Sequence, residues 1–140
     1  MDLKECRKLA EHEVYRYRDH QAYVQAVLDC GKLTGGEKLN RSAKWVLSVD
    51  YAKEYLERHD PLKAKFFSLL FGLERPRRRG SEARTIISLS MELNVSAATL
   101  YKWRNEALSL VVLAAAQTGA LRPYAIGEQR SDPSDREGGR

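Results

Sequence analysis

ELNVSAATLYKWRNEAL, residues 92–108, decides how the fold of this chain is interpreted. Asn94 follows Leu93 at the end of one helical pattern, and Ser96 precedes the next. Asparagine is among the non-glycine residues that most readily adopt the left-handed backbone conformation. A serine at the N-cap accepts a hydrogen bond from a free backbone donor of the following helix. The stretch therefore predicts two helices that cross one another about a tight turn.

Apolar residues on both sides of this turn lie where the two helices must touch. They are Leu89, Leu93, Val95, Leu100 and Trp103. Ser90 is small, as the closest approach of the two helices requires. The outer side of the second helix begins with small residues, which permit entry into a DNA major groove about 12 Å wide, and continues with polar and basic ones. The predicted DNA-binding residues of this segment are Ser96, Ala97, Ala98, Tyr101, Lys102, Arg104 and Asn105.

Separate roles are predicted for these side chains. Lys102 can donate to guanine acceptors, and Asn105 can pair with adenine through two hydrogen bonds. Tyr101 and Arg104 are better placed for phosphates, which position a protein on DNA without reading its sequence. The alternative is a helical hairpin with a polar outer face that binds no DNA.

The net charge of +5 is concentrated in one part of the chain. Residues 1–74 hold 13 Lys and Arg against 12 Asp and Glu, and residues 107–140 hold four of each. Residues 75–106 hold seven against three. A local cationic excess attracts phosphates whatever the base sequence, although a solvated surface with chance clustering would look the same. Further phosphate contacts are predicted at Arg77, Arg78, Arg79 and Arg84, with a solubilising loop as the alternative for the first three.

The rest of the sequence predicts an all-α fold, a small helical bundle with a C-terminal helix-turn-helix and a flexible tail. Helical spacing predicts one long helix over residues 3–29, on a line of Leu3, Ala10, Tyr17 and Val24. A second helix is predicted to begin near Ser42 and to bury Trp45, Val49, Ala52 and Leu56. Asp60 and Pro61 predict the start of a central helix with Leu62, Phe66, Phe67, Leu69, Leu70, Phe71 and Leu73 in the core. Ser81 is predicted to cap a helix that contributes Ile86, Ile87 and Leu89 and runs to Leu93.

Three regions follow from these patterns. Residues 1–60 form an N-terminal helical region that either packs on the core or contacts a partner. Residues 61–121 form the DNA-binding region, and Gly119 is predicted to end its last helix. Residues 122–140 are rich in Pro, Gly, Ser and balanced charge, so they are predicted to be a disordered, dispensable tail.

Other classes of function have little support in the sequence. Cys6 and Cys30 are predicted to be free thiols, and His12, His20 and His59 are scattered. No metal, cofactor or catalytic arrangement is predicted, so the chain is not expected to be an enzyme. No apolar run reaches the ~20 residues of a membrane span, and the charged N-terminus lacks a signal-peptide core. A cytoplasmic location is therefore expected.

Residues 62–121 carry a family resemblance. KAKFFSLLFG, followed by TIISLSMELNVSAATLYKWRNEALSLVVLAAAQTGAL, resembles phage transcriptional regulators of the ArpU/RinA type, whose helix-turn-helix is similar to region 4 of sigma-70 factors. The matching run in the recognition helix is Tyr101-Lys102-Trp103-Arg104. The arginine-rich break at 74–80 departs from the family pattern. The resemblance implies control of phage or prophage late genes at a promoter through host RNA polymerase, in the nucleoid of a bacterial host cell. Double-stranded DNA is the expected partner of the helix-turn-helix. The helix over residues 3–29 is expected to pack partly on the core and partly on a partner, either a second copy of the chain or RNA polymerase.

A packaging protein similar to a small terminase subunit is the alternative, because such proteins also combine a helix-turn-helix with oligomerising helices. In those proteins the DNA-binding module usually comes first. Here it comes late and a short tail follows, which favours regulation.

Overall fold

The computed structural model describes residues 2–30, 36–75 and 82–122. Within these ranges the chain forms an all-α bundle without strands, which confirms the predicted fold class. The helices are α1 (Leu3–Tyr15), α2 (Tyr17–Asp29), α3 (Gly36–His59), α4 (Pro61–Phe71), α5 (Glu82–Leu93) and α6 (Ala97–Thr118). None of the described helices combines the length and the apolar character that crossing a membrane requires.

The predicted single helix over residues 3–29 is wrong, because the chain breaks at Arg16. This residue has φ −95° and ψ 9°, and its backbone N–H donates to the Glu13 carbonyl at 3.1 Å. The break allows α1 to pack against α6 while α2 packs against α3. Of the predicted line, Ala10 and Tyr17 are buried, whereas Leu3 is exposed. Arg16 is neither proline nor glycine, so the cause is tertiary packing rather than a local helix breaker.

The prediction that a helix begins near Ser42 is also wrong, since α3 begins at Gly36 and Ser42 lies inside it. Ser42 is buried, and its hydroxyl lies 3.0 Å from Nδ1 of His20, whose Nε2 lies 2.7 Å from Oε1 of Glu13. This buried polar group joins α1, α2 and α3. The predicted core stripe of α3 is confirmed for all four members: Trp45, Val49, Ala52 and Leu56.

Helix α4 begins as predicted. Pro61 is at the first turn, and the Asp60 carboxylate accepts a hydrogen bond from the backbone N–H of Lys63 at 3.2 Å. The helix ends at Gly72, whose φ of 66° is left-handed. Its core residues are buried with the exceptions of Leu62, which is exposed, and Leu69, which is half-buried. Helix α4 was predicted to be central, but α3 and α6 occupy the centre of the bundle. They pack against each other, and each also contacts α1 and α4. Helix α2 packs on α3, and α5 packs on α6.

One hydrophobic cluster extends from Ala10 to Ala120 and includes residues of both predicted regions, 1–60 and 61–121. On α5, Ile86 and Leu89 belong to it as predicted, whereas Ile87 is exposed. The helix ends at Leu93 and α6 ends before Gly119, at φ 88°, as expected. The predicted cap Ser81 and residues 123–140 of the predicted tail lie outside the described residues.

Candidate nucleic-acid interface

The turn between α5 and α6 has the geometry that its residues predict. Asn94 has φ 57°, in the left-handed region. The Val95 N–H donates to the Ser90 carbonyl at 3.1 Å, and the Ser90 hydroxyl donates to the Val95 carbonyl at 2.5 Å. The Ser96 hydroxyl accepts from the Thr99 N–H at 3.2 Å and so caps α6. Ser90 therefore ties the turn to α5 with its side chain, in addition to being small.

Replacing Asn94 by valine is expected to destabilise the protein by about 1–2 kcal/mol, because a β-branched side chain is strained in the left-handed conformation. Asn94→Gly is the matched control and should cost less, since glycine adopts this conformation without strain. Chemical denaturation of both variants measures the difference. Equal losses would contradict a specific need for left-handed backbone at this position.

Four of the predicted DNA-binding residues share one exposed face of α6: Ala98, Tyr101, Lys102 and Asn105. Their spacing of three, four and seven residues places them in one row along the helix. The row starts at the free N-terminal end of α6, just after the turn. Small and polar side chains thus form a narrow surface without a bulky apolar group in its first turn.

Two predicted contacts lie elsewhere. Ala97 is half-buried and packs against the hydrophobic core, so it does not belong to the outer row. Arg104 lies in an ion-pair cluster instead of at an exposed edge. Its Nε donates to Glu82 at 2.7 Å, and its Nη2 donates to Glu11. The expectation that Arg104 binds phosphate is therefore corrected: this side chain links α6 to α1 and α5.

Electrostatics explain why Arg104 stays in this cluster. Partial burial alone would lower its pKa, but the hydrogen bonds and charges of Glu11 and Glu82 outweigh that effect and raise it. Burial alone would raise the pKa of Glu82, but Arg104 outweighs it, and the pKa of this carboxyl is lowered. The Tyr15 hydroxyl also donates to Glu82 at 3.2 Å. Arg104 and Glu82 thus each favour the charged form of the other.

Arg104 also orients a member of the exposed row. Its Nη1 donates to the side-chain amide oxygen of Asn105, Oδ1, at 2.8 Å. An amide oxygen has two acceptor positions, and the amide nitrogen has two donors. The Asn105 side chain can therefore keep this contact and still offer one acceptor and one donor to a base.

A shallow groove of about 780 Å³ runs along α6 beside this row. Arg7 of α1 lies on its lining, together with Tyr55 and His59 at the end of α3. Lys102 and Asn105 contribute from α6. The place of Arg7 was not predicted, because no pattern in the sequence indicates that α1 crosses α6.

The remaining predicted contacts are Arg84 and the three arginines at 77–79. Arg84 is exposed on α5. Arg77, Arg78 and Arg79 lie outside the described residues, so their role stays a prediction.

A catalytic interpretation of the Glu13–His20–Ser42 group is unfavourable. Each of the three side chains belongs to a residue that is less than a tenth exposed, so a substrate has no access to the hydroxyl. Cys6 and Cys30 are unpaired, as expected. Within residues 2–30, 36–75 and 82–122, no group of three His, Cys, Asp or Glu side chains is arranged to hold a metal ion.

Comparison of the chain with models of known protein families, with curated proteins and with solved structures found no match.

Proposed function

We propose that this chain is a sequence-specific DNA-binding regulator that inserts the first half of α6 into the major groove. The observation that carries the proposal is the combination of a left-handed turn at Asn94, a cap at Ser96 and an exposed row behind it. A helix that reads bases must present its N-terminal part clear of the rest of the protein. Ala98 and Tyr101 stand at that end, and Lys102 and Asn105 follow within two turns.

The chemistry of the row fits base recognition. Lys102 is exposed and can donate to the O6 and N7 acceptors of guanine. Asn105 is exposed and held by Arg104, which reduces the conformational freedom lost on binding adenine. Tyr101, at 40 % exposure, has a hydroxyl suited to a phosphate oxygen. Promoter control through RNA polymerase belongs to the same proposal and derives from the family resemblance. Pairing of two copies belongs to it as well and derives from the partner contact expected of residues 3–29.

Selection of bound sequences from random DNA duplexes tests the proposal directly. The expected outcome is enrichment of one short motif, which the protein then binds at least about 10³-fold more tightly than unrelated duplex at the same salt concentration. Binding without enrichment, or no binding, would contradict sequence-specific recognition.

Replacing Lys102 or Asn105 by alanine is expected to cost about 1–3 kcal/mol on the selected site and to relax base preference at one position. Gln117→Ala, at an exposed polar position near the other end of α6, is the control and should bind like the wild type. Affinities for the selected duplex and for its single-base variants provide the measurement. Equal loss on every duplex would assign the residue to a phosphate instead of a base.

A further inference from the structure

The first half of α1 has a cationic side that the predicted interface did not include. Lys4, Arg7 and Lys8 lie within about 100° of one another around the helix axis at 100° per residue. Glu11 falls in the same arc, one turn further along. The acidic residues Asp2 and Glu5 lie outside this arc, and they engage each other as a capping box, with the Glu5 N–H donating to the Asp2 carboxylate at 2.8 Å.

Contacts further along α1 fix which way this side faces. Glu11 contacts Arg104 of α6, and the Tyr15 hydroxyl donates to Glu82 of α5. The arc that holds Glu11 therefore faces the pair of helices that form the turn. One turn before Glu11, Arg7 lines the groove shared with Lys102 and Asn105. Arg7 thus lies beside the exposed row of α6, and Lys4 and Lys8 share its side of α1.

The cations on this side of α1 form no ion pair with the acids nearby. The carboxylate of Glu11 is occupied by Arg104. Among the described residues, none forms an ion pair with Lys4, Arg7 or Lys8. The two acids that line the groove, Asp60 and Glu106, both pair with Lys63, at 3.8 and 2.6 Å. Uncompensated cations beside a helix that enters the major groove are suited to the phosphates that border that groove.

We infer that Lys4, Arg7 and Lys8 of α1 bind backbone phosphates of the same DNA duplex whose major groove receives α6. This inference rests on the proposed function and adds a second point of contact between the protein and the DNA. Phosphate contacts from α1 fix the angle at which α6 enters the groove, because α1 and α6 are joined through Glu11 and Arg104. The three α1 cations also replace the phosphate contact that was expected of Arg104, whose guanidinium is engaged by Glu11 and Glu82.

The test uses the full chain and the selected duplex, with binding followed by fluorescence anisotropy between about 50 and 200 mM NaCl. Two variants remove the proposed contacts: Lys4→Gln/Lys8→Gln, which changes only exposed side chains, and the same pair with Arg7→Gln. Arg18→Gln/Arg41→Gln is the matched control, because it removes two exposed cations from α2 and α3. Thermal melting of each variant verifies the fold.

The salt dependence should become shallower by about 0.9 in log–log slope for each lost contact, with the preferred sequence unchanged. The control should keep the wild-type slope. A wild-type slope in the double variant and in the triple variant overturns the inference, whatever Lys102→Ala does. A wild-type protein that binds DNA with this salt response but prefers no sequence overturns the proposed base reading and leaves the α1 contact in place. A wild-type protein that binds no DNA overturns both.

Discussion

Phe66→Ala is expected to lower the free energy of unfolding by about 3–5 kcal/mol. Phe66 is fully buried in α4, and its ring centroid lies 6.1 Å from that of Trp103 in α6 in an edge-on arrangement. Removing the ring leaves a cavity that α4 and α6 can only partly close, and it removes an aromatic contact of about 0.5–1.5 kcal/mol. Urea denaturation of the wild type and of Phe66→Ala measures the difference in the free energy of unfolding.

Leu62→Ala is the control for this prediction, because Leu62 lies one turn earlier on the same helix and is exposed. It should change the free energy of unfolding by less than about 1 kcal/mol. A Phe66→Ala variant no less stable than Leu62→Ala would mean that α4 does not carry the core in solution. Phe66 contacts Trp103, which is half-buried on α6, the helix that carries the exposed row. The DNA affinities of the two variants should therefore be compared at a temperature where both are folded.

Local chemistry accounts for the features that were predicted correctly. Asp60 and Pro61 begin a helix through a carboxylate acceptor and a residue without an N–H, and both effects act within four residues. Asn94 and Ser96 act over the same short range. The buried stripe of α3 is a matter of helical period alone. Such features can be recognised in a sequence because their causes lie next to one another in the chain.

The features that were missed have distant causes. Nothing near Arg16 demands a break, which follows from α1 and α2 packing on different helices. Ser42 resembles a cap, yet its partner is His20, 22 residues earlier. Ile86 and Ile87 are both predicted to be core residues, but consecutive helical residues face different directions, and Ile87 is exposed.

The candidate site shows the same division. Periodicity alone places Ala98, Tyr101, Lys102 and Asn105 on one face. Arg104 looks like another exposed cation, since its partners Glu11 and Glu82 are 93 and 22 residues away in the sequence. Arg7 was overlooked for the same reason. Net charge by segment favours the arginines at 77–79, which lie outside the described residues. The packing of α1 on α6 adds cations from a segment that is almost neutral on average.

Loss of Arg104 is expected to destabilise the protein near neutral pH by about 2–3 kcal/mol, below the ~3–5 kcal/mol of a fully buried ion pair because this cluster is partly hydrated. Arg104→Ala leaves the carboxylates of Glu11 and Glu82 together without their cation. Arg41→Ala, at an exposed position on α3, is the control and should cost less than about 0.5 kcal/mol. Arg104→Lys should recover part of the loss, because an ammonium keeps the charge but cannot reproduce the two-sided geometry of a guanidinium.

The pH dependence distinguishes this ion-pair cluster from simple loss of packing. The pKa of Glu82 is lowered in the folded protein, because Arg104 outweighs the opposing effect of burial. A carboxyl with a lowered pKa stabilises the fold above its unfolded pKa of about 4.3, and that contribution is lost as the pH falls towards the folded value. The stability difference between wild type and Arg104→Ala should therefore be largest near pH 7 and shrink below about pH 4.5. Urea denaturation from pH 7 to pH 3 measures it. A difference that stays constant over this range would mean that Arg104 contributes through the packing of its aliphatic chain, and the charge-based account of the α1–α5–α6 junction would fail.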